Sequence, residues 1–141
     1  MPVEILSVQP EANAAFARAH DREALKSYYG FTVVWHEQRH DFSAVEDGTT
    51  LGVATIEIAA SLATVKGVIV APEARRRGIG RALLAQASDV ANYYNCHKMT
   101  AEAPHGSAAQ AFLEACGYHV EAVLPQHAFK LDMAIMRKFL L

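Results

Sequence analysis

The sequence predicts an α/β (α+β) fold, one mixed sheet with helices on its faces. Segments of strand and helix character follow one another in the order β, αα, several β, α, β, α, β, β. The middle strands are separated by short hairpin-like turns, which favours antiparallel pairing over an all-parallel doubly wound sheet. At 141 residues, with no repeat, low-complexity tract or linker, the chain is expected to form a single domain over 1–141.

Val3–Gln9 alternates apolar and polar residues and is expected as the first strand. Pro10 suits the first turn of a helix, with Ala12, Ala15, Phe16 and Ala19 on one face. Asp21 is placed to cap a second short helix through Tyr28, and Gly30 to stop it. Phe31–Trp35 and Phe42–Glu46 are strand-like, while His36 to Asp41 between them is polar and patternless. Asp47-Gly48 is a hairpin turn signal, and Thr50–Ile58 and Ala63–Val70 beyond it are rich in β-branched residues. Ala71-Pro72-Glu73-Ala74 breaks the last of these strands. A helix then opens after Arg75-Arg76-Arg77-Gly78-Ile79-Gly80, with Leu83, Ala87, Val90 or Ala91, and Tyr94 as its buried stripe. Lys98–Glu102 is another strand. Ser107 and Gln110 form a capping box for a helix carrying Ala108, Ala111, Phe112 and Ala115, which Gly117 ends. Tyr118–Val123 and Lys130–Leu140 close the chain as strands.

Composition excludes several functions. With 52% hydrophobic and 20% charged residues the chain is ordinary for a globular protein, and its net charge of -2 offers no general attraction to nucleic acid or anionic membrane. Neither is expected as a partner, and any anion site must be local. No apolar run approaches the roughly 20 residues that span a bilayer. The start, Met1-Pro2-Val3-Glu4, has no basic region leading into an apolar one. Cys96 and Cys116 lack a CxxC pattern and read as reduced thiols, so a cytoplasmic location is expected. The seven histidines are scattered without metal-ligand spacing, and no metal is expected.

The informative stretch runs from Val68 to Leu84, where a buried strand enters a basic, glycine-containing turn that opens a helix. The first N–H groups of such a helix lack intrahelical partners and lie at the positive end of its dipole. Gly78 and Gly80 leave the backbone open to an anion, and Arg75, Arg76, Arg77 and Arg81 add charge, which together suit a pyrophosphate. The turn has neither G-x-x-x-x-G-K-[ST] nor G-x-G-x-x-G, so a P-loop and a dinucleotide fingerprint are both missing. Consecutive arginines alone are usually a solvated surface; the flanking strand, glycines and helix turn the argument toward a site.

Arg75-x-x-Gly78-x-Gly80, after Val68-x-Val70-x-Pro72 and before Arg81-Ala82-Leu83-Leu84, resembles the acetyl-CoA-binding motif of the GNAT N-acetyltransferase superfamily. Ala109-x-x-Phe112-x-Glu114-x-x-Gly117-Tyr118 resembles that family's second motif, and Asp132-Met133-x-x-Met136-x-Lys138-x-Leu140 its closing strand. Ala44–Gly48 and Leu51–Ala54 resemble its second and third strands, so the likeness holds in order from Ala44 onward. The resemblance implies a mostly antiparallel mixed central sheet with helices on both faces. It also implies a splayed parallel pair at the cofactor site, here Ala63–Val70 and Lys98–Glu102. Val68, Ile69 and Val70 would pair with the pantetheine arm of acetyl-CoA, the cosubstrate. Arg75, Arg76, Arg77, Gly78, Ile79, Gly80 and Arg81 would hold its pyrophosphate. Ser107 reads as a helix cap rather than a catalytic hydroxyl, with its loop a further cofactor contact. Tyr28 and Tyr29 either line an acceptor pocket or simply pack. The implied reaction is acetyl transfer to a primary amine of a small molecule, protein or peptide, and a homodimer stays open.

The pattern breaks in two places. A lysine-like amine is neutral in only ~0.04% of molecules at pH 7, so a general base helps. The family position on the strand before the turn is Thr64, and a strict count on the following strand gives Ala101. A one-residue bulge or loop difference would bring Glu102 into place as the base, with Glu57 as the alternative. The family's tyrosine, proposed to protonate the departing thiolate, is Leu113 here, and Tyr118, Tyr28, Tyr29 or a water is left to stand in. The rival reading is therefore a catalytically degenerate acyl-CoA-binding regulatory module. An unrelated nucleotide-binding module is the third.

Overall fold

The structure is a computed structural model that describes residues 2–140. Its internal contacts divide it into two compact units, the residues up to Trp35 and those from His36 onward.

In the first unit a 3-10 turn at Pro10–Asn13 runs straight into α1 (Ala14–Tyr29). Gly30, at φ 84°, ends α1 with its N–H on the Lys26 carbonyl at 2.8 Å, as expected of a C-terminal glycine. Three expectations fail here. Val3–Gln9 has no regular secondary structure, because apolar alternation marks a face but a strand exists only with a ladder partner. Asp21 starts no second helix; it is interior to α1, carried through by the Ala, Arg, Glu, Leu and Lys residues around it. Phe31–Trp35 is irregular as well, the ladder that follows beginning only at Gln38.

The second unit is a six-stranded sheet in the order β1-β2-β3-β4-β6-β5. The strands are β1 (Gln38–Glu46), β2 (Thr49–Ala59), β3 (Leu62–Val70), β4 (Lys98–Pro104), β5 (His119–Ala128) and β6 (Leu131–Phe139). All neighbours are antiparallel except β3 and β4. Of the patternless segment before Phe42, Gln38 to Asp41 is the first half of β1. It alternates between half-buried Gln38 and His40 and exposed Arg39 and Asp41, as an edge strand tolerates. Three hairpins close on left-handed residue pairs: Asp47-Gly48, Ala60-Ser61 and Phe129-Lys130. Only the first announces itself in sequence.

Two helices cover one face of this sheet. The stripe of α2 (Ile79–Tyr93) buries Leu83, Leu84, Ala87 and Ala91, and α3 (Ala108–Ala115) adds Leu113. They share a core with Ile56, Ile58, Met99, Ala101, Ala103, Ala134 and Met136. Tyr94 departs from the expected stripe: it is the C-cap of α2, 41% exposed, with its ring 5.1 Å from that of His40. Among the described residues no helix is long and apolar enough to cross a membrane.

Candidate acyl-CoA site

The parallel pairing of β3 and β4 is short. Leu62, Ala63 and Thr64 face Lys98, Met99 and Thr100, and beyond Thr64 and Thr100 the two strands no longer pair. From there β3 keeps only β2 as a neighbour and β4 only β6, so the sheet opens between them. A bulge accompanies the opening: Thr55 faces Gly67 while Ile56 faces Val65, which leaves Lys66 as the extra residue on β3.

Beyond the opening β3 leads through the 3-10 turn Pro72–Ala74 to the start of α2. The N-cap there is Gly78, in the left-handed conformation at φ 77°, and no side chain caps the helix. Nothing lies within 4 Å of where a Cβ on Gly78 would sit. α3 provides the contrast, since its N-cap Ser107 accepts from the Gln110 N–H at 3.2 Å and Gln110 accepts from the Gly106 N–H at 2.7 Å. The start of α2 thus keeps donors for a ligand where α3 satisfies its own. A cavity of ≈ 560 Å³ adjoins it, lined by Val68, Ile69, Val70, Ala74, Arg75, Arg76, Gly78, Ile79, Gly80, Arg81 and Phe112.

The arginines divide. Arg76, at φ 64°, and Arg75 line the cavity, with Arg75 Nε directed to the Val70 carbonyl at 3.4 Å. Arg77 turns away to Glu46 at the end of β1, with Nη2 to Oε2 at 2.5 Å. That hydrogen bond and charge hold the Glu46 carboxyl below its usual range and raise the arginine. Arg81 touches the cavity but donates Nη2 to the Ala115 carbonyl at 2.6 Å, tying α2 to the last turn of α3. Gly80 lines the cavity and is also held by packing, because a Cβ there would lie 3.0 Å from Phe112 Cζ. It permits close helix packing, and Phe112 closes the cavity wall. Ser107 caps α3 and is not among the residues lining the cavity.

The catalytic candidates lie on the sheet face opposite α2 and α3. No bulge interrupts β4, whose ladder to β6 is regular from Lys98 to Pro104. Ala101, the strict-count position, therefore faces the packed core at 4% exposure, while Glu102 points to the other face two residues past the last parallel pair. A carboxylate at 101 would be buried, whereas the one at 102 stands on the exposed face. Glu57 also lies on the open face, across from Thr64 on β3, with Oε2 3.8 Å from Lys66 Nζ.

Tyr118 is removed as a stand-in acid. It is 1% exposed, its hydroxyl meets Met99 Sδ at 3.7 Å, and burial pushes its pKa up to about 12. Leu113 is a core residue at 6% exposure. Tyr28 and Tyr29 end α1 in the first unit, with ring centroids 4.9 Å apart, edge to face. Among the described residues no group of three or more His, Cys, Asp or Glu is placed to hold a metal ion.

An uncapped helix start, a cavity against the end of β3 and an opened sheet thus lie together. The family model of the acetyltransferase (GNAT) family matches residues 5–118, and the chain belongs to that family, whose members use acetyl-CoA. No curated protein matches it in sequence. Solved structures share its fold. An acetyltransferase from Bacillus cereus ATCC 14579 superposes with TM-score 0.74 at 13% identity, over 97% of this chain and 98% of that one. The ribosomal-protein-S18-alanine N-acetyltransferase of Escherichia coli gives 0.64 at 20%, over 94% and 90%. A Bacillus anthracis protein assigned as a streptothricin acetyltransferase, in complex with acetyl coenzyme A, gives 0.68 at 18%, over 72% and 62%.

Proposed function

We propose that the protein, with residues 1–141 acting as one domain, is an N-acetyltransferase. It moves acetyl from acetyl-CoA directly to a primary amine of a small molecule, protein or peptide. The observation that carries this reading is the opening of the sheet past Thr64 and Thr100, on the strand that leads into the uncapped start of α2. The neighbours named for S18 alanine and for streptothricin span protein and antibiotic acceptors, so the acceptor stays at the level of a primary amine.

Bound acetyl-CoA would supply an activated thioester carbonyl. The residues of the chain do the rest. Arg75, Arg76 and the first N–H groups of α2 bind the pyrophosphate, and the backbone of Val68, Ile69 and Val70 aligns the extended arm. Backbone N–H groups of that stretch polarise the carbonyl. Glu102 takes the proton of the entering ammonium from the open face. A thiol of pKa ≈ 8.5 leaves as its anion without help from a tyrosine, so Leu113 is compatible with turnover.

The buried Leu113 and Tyr118 favour one other reading, a non-catalytic acyl-CoA-binding module. Thiol release from acetyl-CoA across a panel of polyamines, aminoglycosides and N-terminal peptides, with product mass, separates the two. Acetylation of even one amine supports the transferase. Tight binding without transfer to any amine supports the module.

A further inference from the structure

The open face of the sheet carries several carboxylates, and their partners differ in kind. Asp41 is held by Arg39 at 3.1 Å and by the Thr55 hydroxyl at 2.6 Å, and Glu57 by Lys66 at 3.8 Å. Glu121 is held by Lys98 at 2.6 Å and Arg137 at 3.9 Å. Each of these faces a permanent cation. Glu102 instead faces an imidazole: His127 Nε2 lies 4.0 Å from its Oε1.

The backbone is shaped to put that imidazole there. β5 and β4 are not neighbours, since β6 runs between them. Along β5 the ladder passes from Leu124–Met133 to Ala128–Leu131, so Pro125, Gln126 and His127 stand opposite the single residue Asp132. Gln126 sits at φ 46°, a conformation that costs free energy for a residue with a Cβ. The Asp132 carboxylate secures it by accepting from the Gln126 N–H at 2.9 Å. Bulges of this kind re-aim side chains, and this one carries His127 across β6 to the carboxylate beside the opened strands.

We propose that His127 is the relay and positioning partner of Glu102. The proposal rests on Glu102 being the base. The carboxylate takes a proton from the ammonium, leaving the neutral amine. The resulting carboxylic acid passes that proton to neutral His127 Nε2, and the imidazolium releases it to water, which returns both groups to their starting forms. No electrons change hands. The 4.0 Å separation closes to a hydrogen bond by side-chain rotation, as acid–base pairs do when substrate enters.

The test uses the full chain and any amine found to be a substrate, with Glu102→Gln, His127→Ala and the double variant. His127→Ala should lower kcat roughly tenfold, less than loss of the base itself, with KM for acetyl-CoA and the melting temperature unchanged. The loss should vanish in the Glu102→Gln background, and added imidazole should restore turnover to His127→Ala but not to the double variant. Unchanged kcat in His127→Ala beside a large loss in Glu102→Gln overturns the relay and leaves the base standing. So do losses that multiply in the double variant, or an absence of rescue. Unchanged turnover in Glu102→Gln overturns both.

Discussion

Gly80 in α2 lies against the ring edge of Phe112 in α3, where a Cβ would come within 3.0 Å of Cζ and 3.2 Å of Cε1. The two helices and the cavity wall therefore share one tight contact. Gly80→Val should destabilise the protein by about 1–3 kcal/mol through overpacking. Phe112→Leu should recover part of that loss in the double variant, because it shortens the group in the way. Thermal melting of the singles and the double checks this; additive losses would show that the two positions do not meet.

Arg76 and Arg77 are adjacent in sequence and should behave differently. Arg76 lines the cavity, and Arg76→Ala should weaken CoA binding about tenfold, the effect of losing one charge-assisted contact. Arg77 is engaged by Glu46, and Arg77→Ala should leave CoA affinity nearly unchanged. Calorimetric titration with CoA reads both. Equal losses would mean that Arg77 leaves Glu46 to reach the ligand.

Glu102→Gln should lower kcat by roughly 10²–10⁴-fold for an acceptor of high pKa, with CoA affinity retained. Leu113→Tyr, by contrast, should add no activity. The side chain lies in the core, so a larger residue there costs about 1–3 kcal/mol of stability and presents no hydroxyl to the opened strands. Steady-state rates with thermal melts distinguish the two outcomes.

Tyr118 gives an alkaline signature. Its folded pKa is raised to about 12 by burial, above the ordinary phenol value of 10, so the folded state holds that proton longer than the unfolded state. Stability is therefore unaffected below about pH 10 and falls as pH rises toward 12, at most by about 1.4 kcal/mol per pH unit. Tyr118→Phe should flatten that decline. Ultraviolet titration should show one of the five tyrosines ionising last in the native protein and rejoining the rest on unfolding.

Glu46 and Asp41 set the acid side. Hydrogen bonds to Arg77 and to Arg39 hold these carboxyls below their unfolded values. Their contribution is present above the ordinary carboxylate range and is lost as pH falls through the lowered values. Glu46→Gln should thus reduce stability at neutral pH and make no difference once the carboxylate is protonated in both states. Melting temperatures across pH 2 to 7 check the convergence.

Most of the sheet and the turn from β3 into α2 are legible in sequence because each rests on local chemistry. Gly78 marks the left-handed N-cap, Asp47-Gly48 the first hairpin, and Ser107 with Gln110 the start of α3. What stayed hidden depends on partners remote in the chain. Val3–Gln9 has a strand's pattern but no ladder, and the Ala60-Ser61 and Phe129-Lys130 turns adopt left-handed backbones without glycine or asparagine to announce them. Gly80 belongs to the same spaced motif as Gly78, and only the position of Phe112 reveals that it also packs against α3. His127 carries no local signal at all, since its meaning comes from a two-residue excess on β5 that pairing alone exposes.

The three paired positions of β3 and β4 are the seam of the sheet. On one side lie β1, β2 and β3, on the other β4, β6 and β5, and they are stitched edge to edge at Leu62–Thr64 and, just before it, by the His97 N–H on the Ser61 carbonyl at 2.9 Å. Along the rest of the seam the two strands do not pair with one another. An extended chain with its own alternating donors and acceptors can lie between them and serve as a splint, giving each half the neighbour it lacks. Occupancy would then register as mechanical continuity across the whole sheet. Amide exchange at Val68–Val70 and Ala101–Ala103 should slow together when the splint is in place, long before any acetyl group moves.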